Sequence, residues 1–498
     1  MSRPDPIELA LVVGALHSAC EEMGALLVRA AHSPNIKERR DASSALFDAR
    51  GEMVAQAEHI PVHLGAMPAA VAAVREREQA PGRSWILNDP YAGGTHLPDI
   101  TVVTPAYCGA DLIGFAATRA HHADVGGATP GSMPAASRTL EEEGVVIAPT
   151  ALSAELIEEL VARMRQPAER RADLRAQLAA NVVGARRLEA LASQIARGAL
   201  DEVLDYGERR ARAAIATLPA GVHEAADVLE ADERDLELRV RVERSGSSIT
   251  IDFEGSAARD PGNLNCPISV TRSACYFAVR VLTDPATPPN AGAYRPIEVR
   301  APAGSLLDAR SPAAVAAGNV ETSSRVADLV LAAFGRALGQ GTMNNLTLGS
   351  ERFTYYETIG GGQGACADAD GPSAVHVAMS NTLNTPVEAL ERAYPLRVVR
   401  YERRRGSGGS GRFRGGDGVV RELEALEPMS FSLIAERRRH APRGAAGGGD
   451  GAPGADTLDG QRLPGKASGE LAAGSRLRIA TPGGGGYGGA QADEGRIL

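Results

Sequence analysis

The strongest constraint on what this chain can fold into is a change of hydrophobic period near residue 220. Before it, apolar residues recur at helical spacing. Leu9, Val12, Val13, Leu16, Met23, Leu26 and Leu27 form one such series. Asp5-Pro6 in front of them is a helix start with proline in the first turn, and the helix should stop at about Ala31, before Ser33-Pro34. Residues 151–217 read as helical again, with Val182, Val183, Leu188, Leu191, Ile195, Leu200, Val203 and Leu204 on a broad stripe. After residue 220 the period becomes two. Leu236, Leu238, Val240 and Val242 alternate with charged residues, Ile249, Ile251 and Phe253 do the same, and Ser245-Gly246-Ser247 links the two runs as a β-hairpin.

Residues 34–150 have short apolar runs (Ala45–Phe47, Ile100–Val103, Leu112–Ala116) among clusters of Gly, Pro, His and Asp, so loop-rich ground between short strands is expected there. Ser269–Val281 and Thr322–Leu338 read as buried helices, and the segments near Tyr355, Val399, Val419 and Ile434 as strands. From Gly444 onward Gly and Pro dominate, with short strands such as Leu477–Ile479. The expected class is α+β or mixed α/β and multi-domain, not a doubly wound sheet. Three units are expected: residues 1–220 with long helices and a metal-site region, 221–440 opening on the hairpin, and a Gly-rich 441–498 packed on the rest.

A net charge of −9 gives no electrostatic reason to bind nucleic acid or an anionic membrane. Arg403-Arg404-Arg405 and Arg437-Arg438-Arg439 are short enough to be solvated or salt-bridged surface. Five scattered cysteines without a C-x-x-C pair point to reduced thiols in a cytosolic protein. No basic leader precedes Leu9–Leu16, and no run approaches the ~20 apolar residues of a membrane span.

The chemistry is concentrated in one stretch. His59, His63, His96, His121 and His122 lie there with Asp89, Asp99 and Asp124, and imidazole and carboxylate are the ligands of Zn, Mn and Fe. In Asn88-Asp89-Pro90-Tyr91-Ala92-Gly93-Gly94-Thr95-His96-Leu97-Pro98-Asp99, the His-x-x-Asp spacing can put both side chains on one ion from a turn, which the glycines and Pro98 favour. In Arg119-Ala120-His121-His122-Ala123-Asp124, adjacent histidines on a strand point opposite ways, so one can bind a metal while the other faces a neighbouring cavity or core. Asp124 could orient an imidazole. The bland alternative is turn capping in a Gly-rich region. His59 and His63 form a weaker pair. Gly360–Gly364 and Gly483–Gly486 lack the lysine and Ser/Thr of a P-loop and suggest tight turns or close backbone packing. Asn319–Arg325 looks like a helix start capped by Asn319 or Thr322.

The chain resembles the hydantoinase B/oxoprolinase family, whose relatives include acetone and acetophenone carboxylases. The resemblance runs from Asp5-Pro6-Ile7 through Ser33–Asp41, His59–Gly65 and both motifs above. It continues in Pro289–Gly292, Gly318–Ser323, Gly341–Asn345, Arg414–Gly418 and Thr481–Gly488. It implies one divalent metal held by His96, Asp99 and His121, with Asp41 as a fourth ligand. Ala42 stands where relatives often carry an aromatic residue, which bears on pocket shape. The resemblance also implies an A-type partner subunit that binds ATP, with Mg, in an assembly such as (AB)₂.

The expected activity is metal-dependent hydrolysis of a small cyclic amide (hydantoin, 5-oxoproline or another lactam) after ATP-driven activation by the partner. The ion would polarise the carbonyl or orient water, and His122 or Asp124 would transfer protons. Two alternatives stand beside it: the metal subunit of a ketone carboxylase, and a non-catalytic scaffold with a structural metal.

Overall fold

The computed structural model describes residues 5–489 apart from 59, 196, 197 and 233. Helix α1 (Pro6–Ala30) starts as its sequence predicts, the Asp5 carboxylate accepting the Ile7 N–H at 3.1 Å. It is, contrary to expectation, long and apolar enough by composition to cross a membrane. In the fold Leu16, Met23 and Leu27 are buried in a core shared with a sheet and a second long helix.

That sheet fills the region expected to be loop-rich. β1 (Ala42–Asp48) and β2 (Met53–Glu58) precede helix α2 (Ala66–Arg75), and β3 (Trp85–Leu87), β4 (Asp99–Cys108), β5 (Asp111–His121) and β6 (Thr150–Ala151) follow it. They pair antiparallel in the order β2-β1-β5-β4-β3-β6. The alternation that marks a strand is hidden here because both faces are covered. Leu46, Ala116 and Ala120 pack towards α1 and helix α3 (Pro167–Ala192). Ala45, Phe47, Phe115 and Ala117 pack on the other face against Met67, Ala70 and Val71 of α2. Gly114 lets β5 pass close to β1, since a Cβ there would meet the Phe47 carbonyl oxygen at 2.1 Å.

Helix α4 (Ala199–Ile215) leads to a second sheet of β7 (Gly221–Glu230), β8 (Asp235–Ser245), β9 (Ser248–Asp252) and β10 (Ile297–Arg300), in the order β10-β9-β8-β7. β8 and β9 form the expected hairpin, closed by Gly246-Ser247 with Gly246 at φ 59°. Helices α5 (Ile268–Leu282) and α6 (Ser323–Ala333) pack against each other, and α6 against this sheet. A π-turn over Gly318–Thr322 leads into α6 with no side-chain cap, in place of the capping expected from Asn319 or Thr322. The Thr322 hydroxyl instead donates to the Leu264 carbonyl.

The remaining strands are β11 (Asn345–Ser350), β12 (Phe353–Glu357), β13 (Leu396–Arg404), β14 (Gly418–Ala425), β15 (Met429–Ile434), β16 (Ala455–Leu458), β17 (Gln461–Leu463), β18 (Lys466–Leu471) and β19 (Arg476–Ala480). They make two sheets, β12-β11-β15-β18 and β13-β14-β19-β16-β17. Glycine runs pack backbone on backbone between them: a Cβ on Gly484 would lie 2.0 Å from the Gln363 carbonyl oxygen. Arg437 and Arg438, expected at the surface, are buried, where they pair with Asp227, Asp328 and Asp456.

Candidate metal centre

The centre forms where β4 begins and β5 ends. Asp99 and His121 are direct cross-strand partners, so their side chains leave the same face of the sheet. The turn before β4 brings His96 to them, closed by the Asp99 N–H on the His96 carbonyl at 3.1 Å. Asn88 fixes that turn. Its amide nitrogen donates to the carbonyls of Leu97 and Val145, and its oxygen accepts the Ile147 N–H. Arg119, two residues before His121 on the same face, donates to the Thr101 hydroxyl and the Gly93 carbonyl, both at 2.8 Å.

The result is a nearly equilateral triangle of donors. His96 Nε2 lies 3.2 Å from His121 Nδ1, and each lies 3.3 Å from Asp99 Oδ1. Donors bound to one tetrahedral ion at about 2.0–2.1 Å sit about 3.3–3.4 Å apart. All three residues are buried, and among the described residues this is the group of His, Cys, Asp and Glu side chains able to hold an ion together. The donor set therefore fits a divalent metal. Burial alone would raise the Asp99 pKa, but the facing imidazoles, His96 foremost, hold it well below the usual carboxylate range. Burial lowers the pKa of His121, with Asp99 opposing. An ionised carboxylate beside a neutral imidazole is the ligand state a metal needs.

Neighbouring side chains hold these donors in place. Asp99 Oδ2 accepts the Thr95 hydroxyl at 2.5 Å and faces His63 Nε2 at 3.4 Å. His63 Nδ1 is tied to the Ser43 hydroxyl at 2.9 Å. The Tyr356 ring stacks on His121 with centroids 4.5 Å apart. Its hydroxyl donates to Asn345, and the Arg39 guanidinium covers its ring. Thus His63, read from sequence as half of a weak pair, borders the centre, while His59 lies outside the described residues. Tyr356 carried no sequence signal, because it arrives from β12, more than two hundred residues away.

The other expected site residues are placed elsewhere. Asp41 is buried beside Arg39, its carboxylate 3.8 Å from the guanidinium. Its carbonyl accepts the His121 N–H and its charge acts on His121, while its carboxylate stands outside the triangle of converging donors. His122 leaves the opposite face of the sheet. Its Nε2 meets Gln177 of α3 at 3.0 Å, and burial lowers its pKa to about 4. Asp124 accepts the N–H groups of Gly126 and Gly131 and an ion pair from Arg165, bracing the loop after β5. A proton-transfer role for His122 or Asp124 finds no support in this placement. The glycine runs once comparable to phosphate loops are the close backbone contacts described above.

With the centre in view, the chain belongs to the Hydantoinase B/oxoprolinase family, which it matches over residues 5–490. It is 39% identical to 5-oxoprolinase 1 of Arabidopsis thaliana over 97% of its own length and spans 42% of that protein. Its fold is similar to the crystal structure of the ATP-dependent caprolactamase of Pseudomonas jessenii (TM-score 0.89, 29% identity, covering 98% of this chain and 92% of that one). It also shares the fold of an acetone carboxylase chain (TM-score 0.88, 18% identity, covering 97% of this chain and 76% of that one).

Proposed function

We propose that this chain is the metal-dependent hydrolytic subunit of an ATP-dependent cyclic amidase, acting on a hydantoin, 5-oxoproline or related lactam together with an ATP-binding A-type subunit. The observation that carries the reading is the donor triangle of His96, Asp99 and His121, in a chain similar along almost its full length to a caprolactamase. Three protein donors leave a coordination sphere incomplete, the pattern of catalytic rather than structural sites. A divalent ion held there (Zn, Mn or Fe) would polarise an amide carbonyl and lower the pKa of bound water.

This chain's own residues set the frame for that chemistry. Asp99 presents one oxygen to the triangle while Thr95 and His63 hold the other. Tyr356 fixes the plane of His121. An unactivated lactam resists hydrolysis, so ATP must supply a phosphorylated or carboxyphosphate species. The chain carries no P-loop, and it spans less than half of its 5-oxoprolinase relative. The ATP site, with its Mg, is therefore assigned to the partner, in an assembly such as (AB)₂. We place the complex in the cytosol, in keeping with five scattered cysteines and no C-x-x-C pair. Ketone carboxylation is not favoured, because the likeness to acetone carboxylase is one of fold alone.

Elemental analysis of the wild type beside a His96→Ala/Asp99→Ala double variant tests the reading. About one equivalent of Zn, Mn or Fe in the wild type and none in the variant is expected, followed by ATP-dependent lactam or hydantoin opening once the partner is added. Unchanged turnover of the metal-free variant would sink the catalytic role of the centre.

A further inference from the structure

Beyond the metal centre, one cluster joins a hydroxyl, an imidazole and an amide in a single chain of hydrogen bonds. It lies in the irregular segment after β12. Ser380 Oγ is 2.6 Å from His376 Nδ1, and His376 Nε2 is 3.2 Å from Asn384 Oδ1. The direction of each bond follows from its far end. A carbonyl can only accept, so the Asn384 atom 2.7 Å from the Thr358 carbonyl is its amide nitrogen. Asn384 therefore turns its oxygen to His376, whose Nε2 must carry the proton. That leaves a lone pair on Nδ1, and the Ser380 hydroxyl must donate to it. Burial, then the charge of Arg39, lowers the His376 pKa to about 4, so the ring is neutral at neutral pH, in keeping with a lone pair on Nδ1.

Two further features set the cluster apart from ordinary turn bonding. Ala374 and Ala378, on either side of His376, are held at φ 57° and 52°, a left-handed conformation that non-glycine residues rarely adopt and that gathers at functional sites. The segment is also anchored beside the metal centre: Arg39 covers Tyr356 and donates to the hydroxyls of Thr358 and Thr382. A nucleophile on a base, with the base oriented by a third group, is the signature of covalent catalysis.

We propose that Ser380, His376 and Asn384 form a second reactive centre, in which Ser380 is the nucleophile and His376 its general base, and which accepts an activated acyl group. Ser380 Oγ bonds to the acyl carbon as its proton passes to His376 Nδ1. The bond from that carbon to its leaving group breaks, and the leaving group departs with the proton. Water then hydrolyses the serine ester, with His376 again taking a proton, and the hydroxyl is restored. No step uses the metal donors, so this centre is additional to the proposed amidase site.

The test is labelling of the full-length protein with a small alkyl fluorophosphonate, which forms a P–O bond to an activated serine as fluoride leaves. The adduct is located by intact and peptide mass spectrometry. One adduct on Ser380 is expected, with none on Ser380→Ala. Labelling about 100-fold slower in His376→Gln is expected if general-base assistance operates, at an unchanged melting temperature. Asn384→Leu, one step removed from the hydroxyl, should also slow labelling and serves if His376→Gln does not fold. No adduct on Ser380 of the folded wild type, or equal labelling rates in wild type and these variants, would overturn the proposal.

Discussion

Replacing His63 by phenylalanine should weaken metal binding about 10–100-fold while leaving all three donors in place. The two oxygens of Asp99 do different work. Oδ1 faces His96 and His121 at 3.3 Å each, while Oδ2 is held by the Thr95 hydroxyl at 2.5 Å and faces His63 Nε2 at 3.4 Å. Removing His63 Nε2 frees the carboxylate to rotate, and a 10–100-fold loss corresponds to about 1.4–2.7 kcal/mol. Phenylalanine keeps a planar ring at this fully buried position but is larger than imidazole, so it adds a modest overpacking cost to stability without removing a donor. The Ser43 hydroxyl loses its 2.9 Å partner, which should cost about 1–3 kcal/mol of stability. Thr95→Val is the companion, matching shape and deleting the other support. Because both act on Oδ2, their effects should not add. The assay is competition against a chromogenic chelator, on variants whose circular dichroism matches the wild type. Wild-type affinity in His63→Phe and Thr95→Val, alongside lost binding in Asp99→Asn, would refute the idea that orientation of Oδ2 sets metal affinity.

Other consequences are open to simple measurements. Tyr356→Leu should keep the chain folded but lower metal affinity, since the 4.5 Å stack on His121 disappears; unchanged chelator competition would count against it. His376 has its ordinary pKa of 6.5 lowered to about 4, so the fold favours the neutral ring. Its contribution is complete above the unfolded pKa and is lost as pH falls through the window from 6.5 towards 4. Wild type should therefore lose about 2 kcal/mol more than His376→Gln between pH 7.5 and 5, and equal losses in urea titrations would dismiss this. Arg437→Met leaves Asp328 without its buried ion pair and takes one of two buried arginines from Asp227, which keeps Arg325; it should cost about 3–5 kcal/mol, read from thermal unfolding. Gly114→Ala forces a Cβ against the Phe47 carbonyl and should cost about 1–3 kcal/mol; a neutral result would mean the strands can part there.

Much of the centre was legible because its ligands are local. His96 and Asp99 share one turn, and His121 ends the strand that pairs with it. Periodicity likewise located α1 and the β8–β9 hairpin, where one face is apolar and the other polar. It marked only short pieces of β1, β4 and β5, at Ala45–Phe47, Ile100–Val103 and Leu112–Ala116, because both faces of these strands are buried and no alternation marks their full length. Asp41 and Asp124 illustrate a second limit. Both are acidic, and Asp124 follows His121 by three positions, but Asp41 sits beside Arg39 and Asp124 braces a loop, and only the fold decides such competition. Tyr356 was out of reach for a third reason: it meets His121 only through a tertiary contact between β12 and β5, which no spacing rule encodes. The Ser380 cluster is local, its three residues lying within nine positions, but it sits in an irregular segment where no period fixes which way the side chains point.

The back-to-back histidines at the end of β5 have a consequence for quality control of the protein. His121 belongs to the donor triangle and His122 to the contact with α3. A slip of one position against β4 would exchange their faces, send the ligand into the helix layer and bring the wrong imidazole to Asp99. Both versions would have the same mass, nearly the same circular dichroism and the same number of histidines. Only the correctly threaded chain brings His121 to Asp99 and His96, so if the proposed metal is bound there, metal-saturated protein would carry ion only in the molecules whose strands are in register.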